Sequence, residues 1–385
     1  MHSMKFNRLA VCLTIVLLMF AAAARAEAWK FGVMGDTQWT CPNDPGGKNP
    51  ESVPKSIIDQ VNKQFIEAGV KFVIQVGDLS NSGTDPAEKV RAEAAQPLYD
   101  ANIGFFPMRG NHEVSSAKPN GYSVAIFKSV YPQTRGLSQT FGAANFSSPT
   151  SVSEDLNGMS YSFDYGDPCN NARFVIIDNW ATPSKDINAA GLKYGYSFGE
   201  QQAWISSRLD KNTRGTEHAF VFSHQPLIAE SHQDAPFIGY TNANQEMQNA
   251  FFACLQNNGV KYYICGHDHL HQRSIITSPD GQSSVEEIIC ASCSSKFYTP
   301  KDPNDSKWYG QKAREKSISR EIKHVGYYIF TIDGPRVAVD YYDDNDGDWQ
   351  SDVNYPNGPN DVNNQITPDF HFVKKETWGY NLSGK

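Results

Sequence analysis

Residues 29–39 read WKFGVMGDTQW: an apolar run of strand character stops at an acid, Asp36, and Gln38 follows two residues later. Four further runs end in a similar way. KFVIQV (71–76) runs into Gly77-Asp78, and FFPM (105–108) into Arg109-Gly110-Asn111-His112-Glu113. HAFVF (218–222) runs into Ser223-His224-Gln225-Pro226, and KYYIC (261–265) into Gly266-His267-Asp268-His269. Short runs rich in Val, Ile, Phe and Tyr read as buried strands. Each therefore delivers an Asp, Asn or His at its carboxyl end, where open α/β sheets bind their ligands. One such ending is ordinarily a turn or a cap, and Asp178, closing FVIID (174–178), is read that way. Five in series point to one site. In four of them glycine immediately precedes the polar residue, which lets the backbone bend sharply and approach closely.

Helical patterns lie between some of these strands. Ile57, Ile58, Val61, Phe65 and Ile66 share one helical face before Gly69, and Met247, Ala250, Phe251, Cys254 and Leu255 share another before Gly259. Strands alternating with helices predict an α/β layered fold. The apolar content of 39% and aromatic content of 12% supply a substantial core and argue against disorder.

Residues 1–26 carry a basic start (Lys5, Arg8), an apolar stretch (Leu9 to Phe20) and a small-x-small end, Ala24-Arg25-Ala26. They read as a signal peptide, so the expected location is periplasmic or secreted, with no membrane span once the signal is removed. Losing Lys5, Arg8 and Arg25 makes the formal charge of −8 more negative still, which disfavours a nucleic-acid scaffold. Six cysteines then remain, enough for up to three disulfides in an oxidising compartment. Cys290 and Cys293 form a CxxC with no second pair spaced for zinc, so a disulfide or buried thiols are expected there rather than a metal.

The strand ends offer Asp36, Gln38, Asp78, Asn111, His224, His267 and His269 as ligands, all oxygen or imidazole donors and none a thiolate. Such a set suits Mn, Fe or Zn and disfavours a closed structural zinc site. It is larger than one ion takes from protein in an open site. Two ions sharing a carboxylate fit better, about 3.5–4 Å apart, holding a bridging hydroxide as nucleophile for in-line displacement at phosphorus.

In this order, DTQ, GD, GNHE, SHQP and GHDH resemble the blocks of the calcineurin-like metallophosphoesterases, a family that includes the purple acid phosphatases. The resemblance spans residues 29–342 and implies one metallophosphoesterase domain over 27–342. The implied fold is a two-sheet β-sandwich flanked by helices, with the site at the carboxyl ends of strands. It implies two divalent or mixed-valence ions. Asp36 and His269 would hold the first, with Gln38 at the variable position; Asp78 would bridge; Asn111, His224 and His267 would hold the second. His112 would face the phosphate as the catalytic acid, with Glu113 orienting its imidazole. The implied activity is hydrolysis of small-molecule phosphate monoesters or diesters. A non-catalytic, metal-dependent binding protein on the same fold is the alternative, and His112 disfavours it. Nucleophilic catalysis by Ser223 with His224 lacks the G-x-S-x-G setting. Two positions depart from the family pattern. Many relatives carry His where Gln38 stands, and Asn81 occupies the place of the tyrosine ligand of purple acid phosphatases. Gln38 either ligates an ion directly or hydrogen-bonds a water on it.

Other segments are less decisive. The stretch 114–160 is long, polar and rich in Gly, Pro and Ser; it either walls the pocket or packs on the sandwich. Lys296, Lys301, Lys307, Lys312, Arg314, Lys316, Arg320 and Lys323 make a basic run that either draws an anionic substrate or forms a solvated face. Asp343 to Asp348 fails the EF-hand spacing and reads as a solvated acidic turn. The tail 343–385 reads as irregular and acidic, and His271 and His324 as surface histidines. Oligomeric state is not legible.

Overall fold

The structure, a computed structural model, describes residues 27–41, 44, 46–114, 120–178, 198–232, 236–237, 244–302, 312–344 and 369–382. The expected signal peptide lies outside them. Its strands are β1 (Trp29–Met34), β2 (Phe72–Gln75), β3 (Gly104–Pro107), β4 (Ala144–Ser147), β5 (Tyr161–Asp167), β6 (Asn170–Ile177) and β7 (His218–Ser223). These are followed by β8 (Tyr262–Cys265), β9 (His271–Thr277), β10 (Ser284–Ile289), β11 (Glu315–Glu321), β12 (Gly326–Asp333), β13 (Arg336–Asp344) and β14 (Phe372–Asn381).

Period-two alternation splits the side chains of each central strand between two faces. Phe31 and Val33 of β1, Phe72 and Ile74 of β2, Phe174 and Ile176 of β6, and Phe220 and Phe222 of β7 enter one shared core. Val73 and Phe105 face a second core, and Val175, Ile177, Ala219 and Val221 a third. Two sheets packed face to face, each with its outer face covered by helices, satisfy that pattern. The first sheet has the order β14-β13-β12-β1-β2-β3, and the second β11-β9-β10-β8-β7-β6-β5-β4. β1, β2 and β3 run parallel in one sheet, as do β6, β7 and β8 in the other. This is the α/β two-sheet sandwich that the family resemblance implied. Stacked and edge-on rings fill its middle, with Phe31 to Phe330 at 4.6 Å and Phe163 to Phe174 at 4.9 Å between centroids.

Helix α1 (Lys55–Ala68) covers the first sheet with Ile57, Ile58, Val61 and Phe65 and ends on Gly69 in the left-handed conformation, φ 68°. Ile66, expected on that face, is exposed instead. α2 (Asp85–Glu93), capped by Thr84, and α3 (Gln96–Asp100) follow. α4 (Asn120–Val130) belongs to the long segment after Glu113, whose Phe127, Tyr131, Leu156 and Met159 join the outer core of the first sheet. That part of the segment packs on the sandwich; residues 115–119 lie outside the described ones. α5 (Phe198–Leu209) and α6 (Gln245–Asn257) cover the second sheet. On α6 the buried face is Gln248, Phe251, Phe252 and Leu255, one step round from the expected one, and Met247 is exposed.

Several expectations are corrected. The tail is not wholly irregular: Phe372–Asn381 forms β14, paired antiparallel with β13 from Asn381↔Arg336 to Phe372↔Asp344. His271 is buried, not superficial. Its Nδ1 lies 2.8 Å from the Tyr328 hydroxyl and its Nε2 3.3 Å from Glu376 of β14, and its ring stacks on Tyr341 at 4.0 Å. His324 is half-buried against Asp344. Asp343 and Asp344 end β13 as buried residues, and 345–348 lie outside the described residues. No disulfide forms among the described residues: Cys293 Sγ donates to Gly326 O (3.2 Å), Cys290 is sealed in the inter-sheet core, and Cys169 is exposed on a turn. Among the described residues no helix is long and apolar enough to cross a membrane.

Candidate metal centre

The carboxyl ends of the parallel strands converge at one end of the sandwich. Asp36 follows β1, Asp78 follows β2, Asn111 and His112 follow β3, His224 follows β7, and His267 and His269 follow β8. Backbone bonds tie these ends together. Thr37 N donates to Asp78 O (2.8 Å), Gly266 N to His224 O (3.1 Å), and His267 N to both Asp36 carboxylate oxygens (3.1 and 3.0 Å), which links the two sheets. Asp78, His267 and His269 adopt left-handed φ values of 45°, 74° and 50°. Such conformations cost energy for residues with a Cβ and persist only where the surroundings enforce them, most often at functional sites. The preceding glycines allow the close approach. A Cβ on Gly110 would sit 2.1 Å from Asp78 Oδ1, and one on Gly77, itself at φ 98°, would sit 2.4 Å from His224 Nδ1.

The ligand atoms point inward, and two imidazole nitrogens are set against oxygen acceptors. His224 Nδ1 donates to Val76 O (2.8 Å), a pure acceptor, so in the neutral ring Nε2 is bare. That bare nitrogen lies 3.1 Å from Asn111 Oδ1 and 3.4 Å from Asp78 Oδ1. His269 repeats the arrangement: Nδ1 donates to Lys296 O (2.7 Å), and Nε2 lies 3.6 Å from Asp36 Oδ1. Gln38 donates Nε2 to Asp78 Oδ2 (2.8 Å), while its Oε1 is buried with no hydrogen-bond partner. Acceptors crowded on acceptors are unfavourable unless a cation lies among them. Two groups of ligand atoms, each within 4.8 Å of one another, answer that requirement: Asp78, His224 and His267, and Asp36, Asp78 and His269. Asp78 belongs to both.

Electrostatics agree with this geometry. Asp36 and Asp78 are both buried, with no lysine or arginine in ion pair with either among the described residues. Burial, then the charge of Asp78, pushes the Asp36 carboxyl well up. Burial would raise Asp78 too, but His224, His112 and His267 draw it below its ordinary value. Burial holds His267 and His269 well below the ordinary imidazole range, helped by His232 for the first and Lys296 for the second. Both rings are therefore neutral near pH 7, the form that ligates metal. The residues present fit a pair of cations that share Asp78.

His112 stands at the open side, its side chain 23% exposed. Nδ1 donates to the Asn81 carbonyl (2.7 Å), and Nε2 lies 4.0 Å from Asp78 Oδ2. Asn81, in the place of the purple acid phosphatases' tyrosine, thus holds His112 through its backbone. Glu113 does not orient His112, contrary to expectation. Its carboxylate instead accepts from Leu79 N (2.9 Å), Ser80 N (3.3 Å) and Gly110 N (2.8 Å), clamping the loops that carry Asp78 and Asn111. Asp178, read as a cap, pairs its carboxylate with buried Arg109 at 2.7 Å, directly ahead of the GNHE block. Among the described residues Ser223 Oγ has no hydrogen-bond partner, and both ring nitrogens of His224 are turned elsewhere, to Val76 O and Asn111 Oδ1.

Two neighbours, His232 and Tyr298, escaped the sequence reading of the site, and Lys296 of the basic run joins them. His232 bonds Asp268 through Nδ1 (2.6 Å) and lays its ring 4.2 Å from that of His267. Tyr298 meets the rings of His269 (5.0 Å) and His232 (4.6 Å), and Lys296 Nζ lies 4.9 Å from the Tyr298 ring centroid. The available signal for His232 was Asp268 itself, an acid between two imidazoles that needs a partner of its own.

Comparison with known proteins agrees with the geometry. A family model described as calcineurin-like phosphoesterase matches residues 30–271. No curated protein gives a match. Among solved structures, PhoD is 12% identical, with a TM-score of 0.57 over 94% of this chain and 71% of that one. A purple acid phosphatase from yellow lupin (Lupinus luteus) seeds is 16% identical, with a TM-score of 0.53 over 84% of this chain and 52% of that one. GAP50, described as the anchor in the inner membrane complex of Plasmodium, is 17% identical, with a TM-score of 0.48 over 83% of this chain and 86% of that one. At these identities the structural likenesses speak to fold, while the family match covers well over half of the chain. The chain belongs to the calcineurin-like phosphoesterase family.

Proposed function

We propose that this chain is an exported phosphoesterase that hydrolyses small-molecule phosphate esters with two metal ions. The observation that carries the reading is the pair of ligand groups sharing Asp78, with His112 Nε2 4.0 Å from that same carboxylate on the open side. Asp36, His269 and Gln38 would hold one ion, Asn111, His224 and His267 the other, and Asp78 both. Mn, Fe or Zn suits these donors. Paired ions, when bound, polarise phosphoryl oxygens and supply a nucleophilic water at neutral pH.

The chain does the rest. Buried walls hold the donors in fixed tautomers, so little reorganisation accompanies charge development. His112, anchored through Nδ1 to Asn81, presents Nε2 to the departing oxygen and donates its proton there. A protein that merely bound metal would have no use for that imidazole.

Metal analysis combined with turnover of an aryl phosphate and of its bis-aryl diester tests the proposal. We expect about two metals per chain and release of the aryl alcohol from at least one ester. Asn111→Ala is expected to lose metal and activity together, whereas His112→Asn keeps the metal and loses roughly 10²–10⁴-fold in rate. A metal-loaded protein inert on both esters would instead support the binding-protein alternative.

A further inference from the structure

One flank of the centre carries side chains that metal binding does not use. Lys296 holds His269 with its backbone carbonyl, so its side chain is delivered beside the centre by the same segment that fixes the imidazole tautomer. The ammonium settles on the face of Tyr298, Nζ 4.9 Å from the ring centroid, and it acts electrostatically on both Asp36 and His269. It pairs with no carboxylate among the described residues. Its neighbours in the basic segment differ: Lys312 is held by Glu230 and Glu315, and Arg320 by Glu230. Lys296 and Tyr298 are half-buried, and His232 beside them has a side chain 30% exposed, so this flank meets solvent next to otherwise buried ligands.

A partly desolvated cation, fixed on an aromatic face and with no carboxylate in ion pair among the described residues, is suited to an anion brought in by a ligand. The ring limits where the ammonium can go, so less order is lost when it engages. We infer that Lys296, seated on Tyr298, recognises a second anionic group on the ester, so that the site prefers substrates bearing a carboxylate or further phosphate besides the scissile one. The inference rests on the phosphoesterase reading and deepens it to a substrate class.

Binding of phenylphosphonate, 4-phosphonobenzoate and 1,4-phenylenediphosphonate to the metal-loaded protein, followed by calorimetry, reports this subsite without turnover. The expected result is roughly three- to tenfold tighter binding of at least one doubly functionalised compound than of phenylphosphonate. The two compounds distinguish carboxylate from phosphate recognition. The preference should fall toward one in Lys296→Gln, survive in Lys296→Arg, and shrink in the wild type as salt is added. Taking the ratio within each variant cancels any change in metal loading, and the salt series reads the same interaction should the glutamine variant fail to fold. No preference in the wild type, or one unaltered by Lys296→Gln, overturns the inference. Turnover of phenyl phosphate is scored separately. Its absence beside a Lys296-dependent preference sinks the hydrolase reading alone, and its presence without that preference sinks only the subsite.

Discussion

The amide of Gln38 faces two tasks. Its nitrogen is committed to Asp78 Oδ2 at 2.8 Å, and its oxygen is buried without a donor, an arrangement that costs about 1–3 kcal/mol unless a cation or donor answers it. Many relatives carry His here. A neutral imidazole nitrogen is a stronger donor than an amide oxygen toward Zn or Fe, so Gln38→His is expected to hold the first ion roughly tenfold more tightly. Chelator competition followed by metal analysis checks this. Unchanged retention would show that the amide's role lies in its bond to Asp78. At this scale most of the candidate site was legible, because Asp36, Asp78, Asn111, His224 and His267 each follow a strand closely, four of them with a glycine immediately before. His232 was not, since it sits in a loop and is aimed by a contact with Asp268 that no local pattern announces. Glu113 was legible as important but not in its role, because its partners are backbone amides of its own turn and of the distant turn that carries Asp78.

Among the elements, β14 was the largest surprise, and its chemistry explains why. A strand facing a core normally alternates apolar and polar residues, but the inward positions of FVKKETWGYN include Glu376, whose partners His271, Arg273 and Ser319 lie on other strands. A register shift at Tyr341/Tyr342 of β13 breaks the period further. The start of this hairpin region is pinned by His324, which donates Nδ1 to Asp344 O (3.1 Å) and lies 3.2 Å from Asp344 Oδ1. The hydrogen bond with the Asp344 carboxylate, outweighing partial burial, raises the imidazole from 6.5 to about 9. With the folded value above the unfolded one, the native state holds the extra proton. The contribution is therefore complete below pH 6.5 and is lost as pH rises toward 9. Denaturant midpoints at pH 6 and pH 9 should show the wild type losing on the order of 1–3 kcal/mol more than His324→Gln across that interval. Asp343 and Asp344 are held down by the same imidazole, so the difference reads His324 together with these two carboxyls as one coupled group. Equal slopes would mean that this imidazole gains nothing from its partners.

At the scale of the molecule, layering was readable from strands that alternate with helices, but the division of strands between sheets was not. β1 pairs with β12, Trp29 opposite Ile332, and nothing local marks two segments so distant in sequence as neighbours. The two sheets are joined across the site end by the His267–Asp36 bonds and along one edge by Glu376. That carboxylate from β14 reaches His271 and Arg273 on β9 and accepts from Ser319 of β11 at 2.9 Å, while the Arg273 guanidinium lies over Trp378 at 3.9 Å. Removing Glu376 leaves Arg273 and His271 buried with less to satisfy them. Since the carboxylate is itself 26% exposed, Glu376→Ala is expected to cost about 1–3 kcal/mol, less than a fully buried pair would. Glu376→Gln should cost less, because its amide oxygen still accepts from Ser319 and the Arg273 guanidinium keeps its pairing with Glu286 at 2.8 Å. For a chain of this size each kcal/mol lowers the melting temperature by about 2–4 °C or somewhat less, so a thermal scan of the two variants ranks them directly. Metal content at saturating ion should stay at the wild-type level in both, because Glu376 touches none of the proposed ligands. If metal is lost in step with stability, the edge clasp also holds the His267–His269 turn in place, and the C-terminal strand becomes part of the centre's scaffold as well as a brace for the sandwich.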